Sequence, residues 1–179
     1  MANHENVIYD TDLVHCYVAL RRRKHNPSLP QGCIRQIIRN ESEDLEIIKL
    51  KLKSKGGYWR IHRTVNRRSI KKAWKVLQHK IIDDPEIPFK LESAWKTALL
   101  QSGGKGERKF LLDIDTKFPE LITPIEELLL SNGIEVLEIA ESPNGFHYVT
   151  KPFDFQTVLG HLDYVDLLRD GYVFIEEFK

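Results

Sequence analysis

Two features are scarce in this chain of 179 residues, cysteine and uninterrupted apolar sequence. The two cysteines, Cys16 and Cys33, are too few for a disulfide framework, and a reduced, cytoplasmic setting is expected. No run of 18 or more apolar residues occurs, which excludes a membrane-spanning helix. Residues 1–10 show neither a basic segment nor an apolar one, so no secretory leader is expected there. Internal repeats, low-complexity tracts and obvious linkers are also missing, which sets aside solenoid and collagen-like readings. What remains is 41% hydrophobic and long enough for one compact domain.

Acid is the third scarce item, but only locally. The stretch from Ile47 to Lys80 carries twelve Lys and Arg residues and no Asp or Glu. Residues 1–110 hold a net +11 and residues 111–179 a net −10, although the whole chain is only +1. Such separation points to a polyanionic partner, nucleic acid or nucleotide, held by the basic half. Arg60, Arg63, Arg67, Arg68, Lys71, Lys72 and Lys75 are the candidate phosphate contacts, and Tyr58 and Trp59 beside them are candidates for base stacking.

Local patterns divide the chain into a basic, mainly helical α/β unit over 1–107 and a second unit over 108–179. Thr11–Lys24 reads as a helix, with Thr11 or Asp12 as N-cap and Arg21 to Lys24 at its C-terminal end. Cys33–Arg39 reads as a short second helix, and Glu41–Lys55 as a third that stops at Gly56-Gly57. Alternation over residues 58–65 predicts a strand that packs on the following unit. Ser69 then caps a basic helix reaching Ile82, with Ile70, Ala73, Trp74, Leu77 and Ile81 on its buried face. A further helix is expected over Glu92–Gln101. The loop Gln101–Gly106 resembles a phosphate cradle in composition but lacks Walker A spacing and precedes a strand.

The second unit has a clearer rhythm: strand Lys109–Ile114, helix Thr123–Ser131, strand Ile134–Ala140, turn Ser142–Gly145, strand Phe146–Thr150, short helix Phe155–Leu162. Tyr164–Phe178 closes it as one strand or a bent pair. This β-α-β-β-α-β order is that of an RRM-like, ferredoxin-like α+β unit, whose sheet order 4-1-3-2 makes the first and third strands central. Asp113 and Asp115 would share a face of the first strand, His147 would lie on the third, and Asp166 on the fourth. Two like charges in an apolar strand are costly unless compensated, and hard oxygen donors of this kind suit Mg²⁺ or Mn²⁺. Asp163 and Asp170 compete with Asp166 for the third position. Asp-x-Asp also occurs in haloacid dehalogenase-like phosphatases, but here Lys117 takes the place of their Thr or Val. His15, Cys16, His25 and Cys33 fit no closed zinc pattern.

Phe110-Leu111-Leu112-Asp113-Ile114-Asp115, then Ser142-Pro143-Asn144-Gly145-Phe146-His147, then Val165-Asp166 together resemble the archaeo-eukaryotic primase superfamily, which includes the primase-polymerases. The likeness covers mainly residues 108–179. It implies two divalent metals on Asp113, Asp115 and Asp166, and a nucleoside triphosphate held by His147 with Ser142 or its turn. It further implies nucleotidyl transfer onto DNA or RNA. The family's Ser-x-His form would put Ser at Gly145. Two alternatives stand beside the transferase: a metal-dependent nuclease with the same carboxylates, and a non-catalytic RRM-like binding module. RRM modules carry aromatics on their central strands, where this chain places Asp113, Asp115 and His147.

Overall fold

Strand and helix share the described residues in comparable measure. The computed structural model describes residues 12–103 and 108–179, an α+β protein with two antiparallel sheets and five α-helices among those residues. They divide into two units, one of residues 12–14 and 67–103, the other of residues 15–66 and 108–179.

The larger unit begins with two corrections. Residues expected as the first helix form strand β1 (Leu13–Arg21), followed by a 3₁₀ turn at Arg23–His25, and the expected second helix is strand β2 (Gly32–Ile38). The two pair as an antiparallel hairpin in register from His15↔Ile38 to Arg21↔Gly32. The physical reason lies in Cys16-Tyr17-Val18-Ala19, all buried, so this central strand is covered on both faces and loses the alternation that marks a half-exposed one. The basic run after it imitated a helix C-terminus. The N-terminal part is therefore mixed rather than mainly helical.

Helix α1 (Glu41–Lys55) follows, opening on Glu41, Glu43 and Asp44 as the helix dipole favours. Asp44 also accepts the amides of Arg39 and Asn40 at 2.7 and 3.0 Å. Strand β3 (Trp59–Thr64) and the C-terminal strand β9 (Tyr172–Phe178) complete a sheet in the order β2-β1-β3-β9. Ile48 and Leu52 of α1 pack on it against Tyr17, Ala19, Trp59 and Ile61.

The second sheet is built from β5 (Phe110–Ile114), β6 (Val136–Glu141), β7 (Phe146–Thr150) and β8 (Val165–Leu168) in the order β6-β7-β5-β8, every neighbour antiparallel. Helix α4 (Pro119–Ser131) lies between β5 and β6 in the chain, and the short α5 (Phe155–Val158) ends before the expected Leu162. Leu112, Ile114, Tyr148 and Val165 face the helices, meeting Ile125, Leu129, Val158 and Leu159. The opposite face alternates: Leu111 and Val149 join Val65 and Val173 in a second apolar cluster, and between these positions stand the polar residues of interest. The bent pair expected over Tyr164–Phe178 is thus β8 and β9, and its two halves belong to different sheets.

In the smaller unit, Leu13 and Val14 pair with β4 (Arg68–Ser69). Ser69 caps α2 (Ile70–Asp83), its hydroxyl accepting the Lys72 amide at 3.2 Å. Asp12 supports the same helix start, accepting from the Ser69 hydroxyl and the Lys71 amide. The expected alternative cap, Thr11, lies outside the described residues. Helix α3 (Leu91–Gln101) packs on α2 through buried Ala73, Leu77, Ala94 and Ala98. Trp74, expected on the buried face of α2, is 52% exposed. Ala73 and Leu77 already define the contact stripe, and Trp74 lies at its edge.

Candidate functional site

Register places the polar residues of the second sheet. Asp113 sits directly opposite His147 on β7 and directly opposite Asp166 on β8. Directly paired residues of antiparallel strands project from the same face, so one carboxylate, Asp113, is flanked by an imidazole and a second carboxylate. The contact with His147 is direct: Nε2 lies 3.3 Å from Asp113 Oδ1. Asp166 is exposed, Asp113 is half-buried and His147 is buried, which grades the site from solvent to interior.

The imidazole is held from its other side. The Phe174 amide of β9 donates to His147 Nδ1 at 2.9 Å. As the outer strand of the first sheet, β9 has backbone groups not used by β3, and His147 satisfies one of them. An N–H pointed at Nδ1 requires a lone pair there, so the proton of the neutral ring is on Nε2, facing Asp113. The ring is therefore set as a donor toward the carboxylate face.

Asp115 falls one residue beyond β5 and is exposed; its amide still donates to the Tyr164 carbonyl at 3.0 Å. The structure thus brings Asp113, His147 and Asp166 together in register and leaves Asp115 at the strand's end. Asp163 and Asp170 lie outside β8, on either side of it. Among the described residues, no three His, Cys, Asp or Glu side chains already sit close enough to cage a metal ion.

Ser142 is buried and committed to its turn. Its amide donates to the Gly145 carbonyl at 2.8 Å, and its hydroxyl accepts the Gly145 amide at 3.1 Å. Gly145 packs on the end of β5 so closely that a Cβ there would come within 1.8 Å of the Ile114 carbonyl oxygen. The departure from the Ser-x-His pattern therefore has a steric reason: no side chain fits where that serine would stand.

The seven basic candidates separate. Arg63 is held by Glu138, with Nη2 2.6 Å from Oε1, and Arg60 Nε lies 3.7 Å from Glu177. Arg68 is 1% exposed. Arg67, Lys71, Lys72 and Lys75 remain at the surface of the smaller unit, with Lys72 Nζ donating to the Gly103 carbonyl at 2.7 Å. Of the stacking candidates, Trp59 is buried beneath α1 and Tyr58 hydrogen-bonds Glu177. Gly104–Gly106 of the glycine-rich loop lie outside the described residues.

Sequence reasoning missed His62 and the Phe174 amide. His62 is directly opposite Phe174 in the first sheet, and its ring stands edge-on to that of Phe174 at 5.8 Å between centroids. Burial, reinforced by the nearby His147, lowers its pKa to about 4. The folded chain then binds fewer protons at this residue than the unfolded chain between pH 4 and 6.5. Stability is therefore full above about pH 6.5 and is lost as pH falls toward 4, by roughly 3 kcal/mol from this group. Urea unfolding at pH 7.0 and 4.5 is expected to show this loss, and His62→Phe should shrink it; an equal pH dependence in the variant would remove His62 as its source.

No protein-family model matches the chain, and no curated protein or solved structure does so either.

Proposed function

We propose that this protein is a metal-dependent nucleotidyltransferase of the primase-polymerase type, acting on nucleic acid with nucleoside triphosphates as substrates. The observation that carries the reading is Asp113 flanked in register by His147 and Asp166, with the imidazole oriented by a backbone amide. The chain order β5-α4-β6-β7-α5-β8 and the strand order β6-β7-β5-β8 support reading the second sheet and its helices as an RRM-like unit.

The donor set fits Mg²⁺ or Mn²⁺, since such ions take one or two carboxylates and complete their shell with water and substrate phosphates. Asp113 and Asp166 would hold them, with Asp115 at the strand end as a further oxygen donor. When bound, such ions would supply alignment of the attacking hydroxyl with the α-phosphate and neutralisation of the charge on the leaving pyrophosphate. The protein's own part is positional. His147 presents Nε2–H to a phosphate oxygen, and the Phe174 amide keeps the ring from turning. The Ser142–Gly145 turn, clamped against Ile114, fixes where β7 begins.

The test is an assay on the full chain with primed and unprimed templates, ribo- and deoxyribonucleoside triphosphates, and Mg²⁺ or Mn²⁺. Extension or primer synthesis is the expected result. Cleavage without incorporation would replace the transferase by a nuclease, and binding without either would leave a binding module.

A further inference from the structure

We infer that the α2–α3 hairpin is a binding surface for single-stranded nucleic acid, with Trp74 as the platform on which a base stacks. The inference deepens the proposed function by naming the form of nucleic acid and the surface that holds it, and it rests on that reading only for its biological purpose.

Trp74 is 52% exposed, an unusual position for the largest apolar side chain on a helix with a well-defined buried stripe. Trp95 of α3 stands edge-on to it, 6.4 Å between ring centroids with planes at 67°. That contact holds one edge of the indole and limits its rotation, which lowers the entropy lost when something settles on its face.

The neighbours of Trp74 select the partner. Lys71, three residues before Trp74 on α2, is its neighbour on the helix surface, and Lys75, four residues after Lys71 and next in the chain to Trp74, extends the same basic edge; both lysines are exposed. Arg67 and Lys72 add charge near the helix start. Asp12, at that same end, is already engaged by the Ser69 hydroxyl and the Lys71 amide. Acids elsewhere in the hairpin are Asp83 at the far end of α2, Asp84 and Glu86 just beyond it, and Glu92, which pairs with Lys96 at 2.5 Å. A flat π face flanked by ammonium groups complements a chain that alternates bases with phosphates. A duplex hides its base faces and offers only the phosphates, so the tryptophan distinguishes single strands from duplexes while the lysines do not.

The experiment measures binding of a fluorescent oligothymidylate and a duplex of equal length to the full chain, without metal or nucleotide. Trp74→Ala should weaken single-strand binding by about 5- to 30-fold and duplex binding by less than about twofold. Trp74→Phe should retain most of the affinity. Lys71→Gln with Lys75→Gln should weaken both ligands and reduce the salt slope for the single strand by roughly 1.4, a loss of two phosphate contacts. Thermal melting of each variant confirms that the fold is kept; should Trp74→Ala melt early, the Trp74→Tyr and lysine variants decide. Equal losses on both ligands, no loss, or no binding of the wild-type chain to any nucleic acid would overturn the proposal, the last leaving Trp74 as a protein-docking residue. Because no metal or nucleotide is present, failure here leaves the carboxylate site untouched, and an inactive carboxylate site leaves this surface untouched.

Discussion

Asp113→Asn is expected to reduce nucleotide incorporation by roughly 10³-fold or more while nucleic-acid affinity changes less than about twofold. Asn keeps an oxygen for the His147 Nε2–H and nearly the same volume, so ring orientation and packing survive. What disappears is the charge that a hard cation requires. The side chain of Asp113 is 33% exposed, so its neutral replacement should cost the fold little. A thermal shift on adding Mn²⁺, present in the parent protein, should vanish in the variant. If Asp113→Asn keeps the full Mn²⁺ shift and full incorporation, Asp113 is not a ligand. Retained incorporation with a lost shift would instead mean that the tight ion is not the catalytic one.

The largest expected effect on stability is at Gly145. A methyl group there would meet the Ile114 carbonyl at 1.8 Å and the Thr116 amide nitrogen at 2.7 Å, both backbone atoms. Neither moves without disturbing β5 or the segment just after it, and the Ser142–Gly145 hydrogen bonds oppose movement of the turn. Gly145→Ala should therefore cost about 3 kcal/mol and lower Tm by roughly 10 °C. The same strain displaces Asp113 relative to His147, so the surviving folded protein should also be poorly active. Gly103→Ala is the matched control, because its added Cβ meets nothing within 4 Å. Calorimetry of the two variants is the check: a Gly145→Ala protein as stable as Gly103→Ala would show that the turn is not clamped.

The contrast between the two ends of the chain explains what a single sequence reveals. Strand Phe146–Thr150 and helix Glu41–Lys55 were legible to the residue, because Pro143-Asn144-Gly145 and Gly56-Gly57 punctuate them and acids and lysines occupy the expected helix ends. In β1 the apolar residues run unbroken from Cys16 to Leu20, and both the period and the polar faces that mark a strand are hidden by burial on two sides. The candidate site was partly legible for a related reason. Strand alternation and register bring Asp113, His147 and Asp166 together once the four-stranded order is assumed. No residue letter announces the Phe174 amide, because a backbone donor has no sequence signature and its placement needs β9 to leave the second sheet for the first. The basic residues show the opposite limit. Charge counting cannot distinguish Arg63, locked onto Glu138, from Lys75, which remains exposed.

The most direct measurement is the crystal structure of the full chain soaked with Mn²⁺ and a non-hydrolysable nucleoside triphosphate, with anomalous diffraction to locate the metal. The account predicts Mn²⁺ peaks on the carboxylates of Asp113 and Asp166 and a phosphate oxygen within hydrogen-bond distance of His147 Nε2. Metal and triphosphate bound elsewhere, with His147 still facing only Asp113, would contradict it.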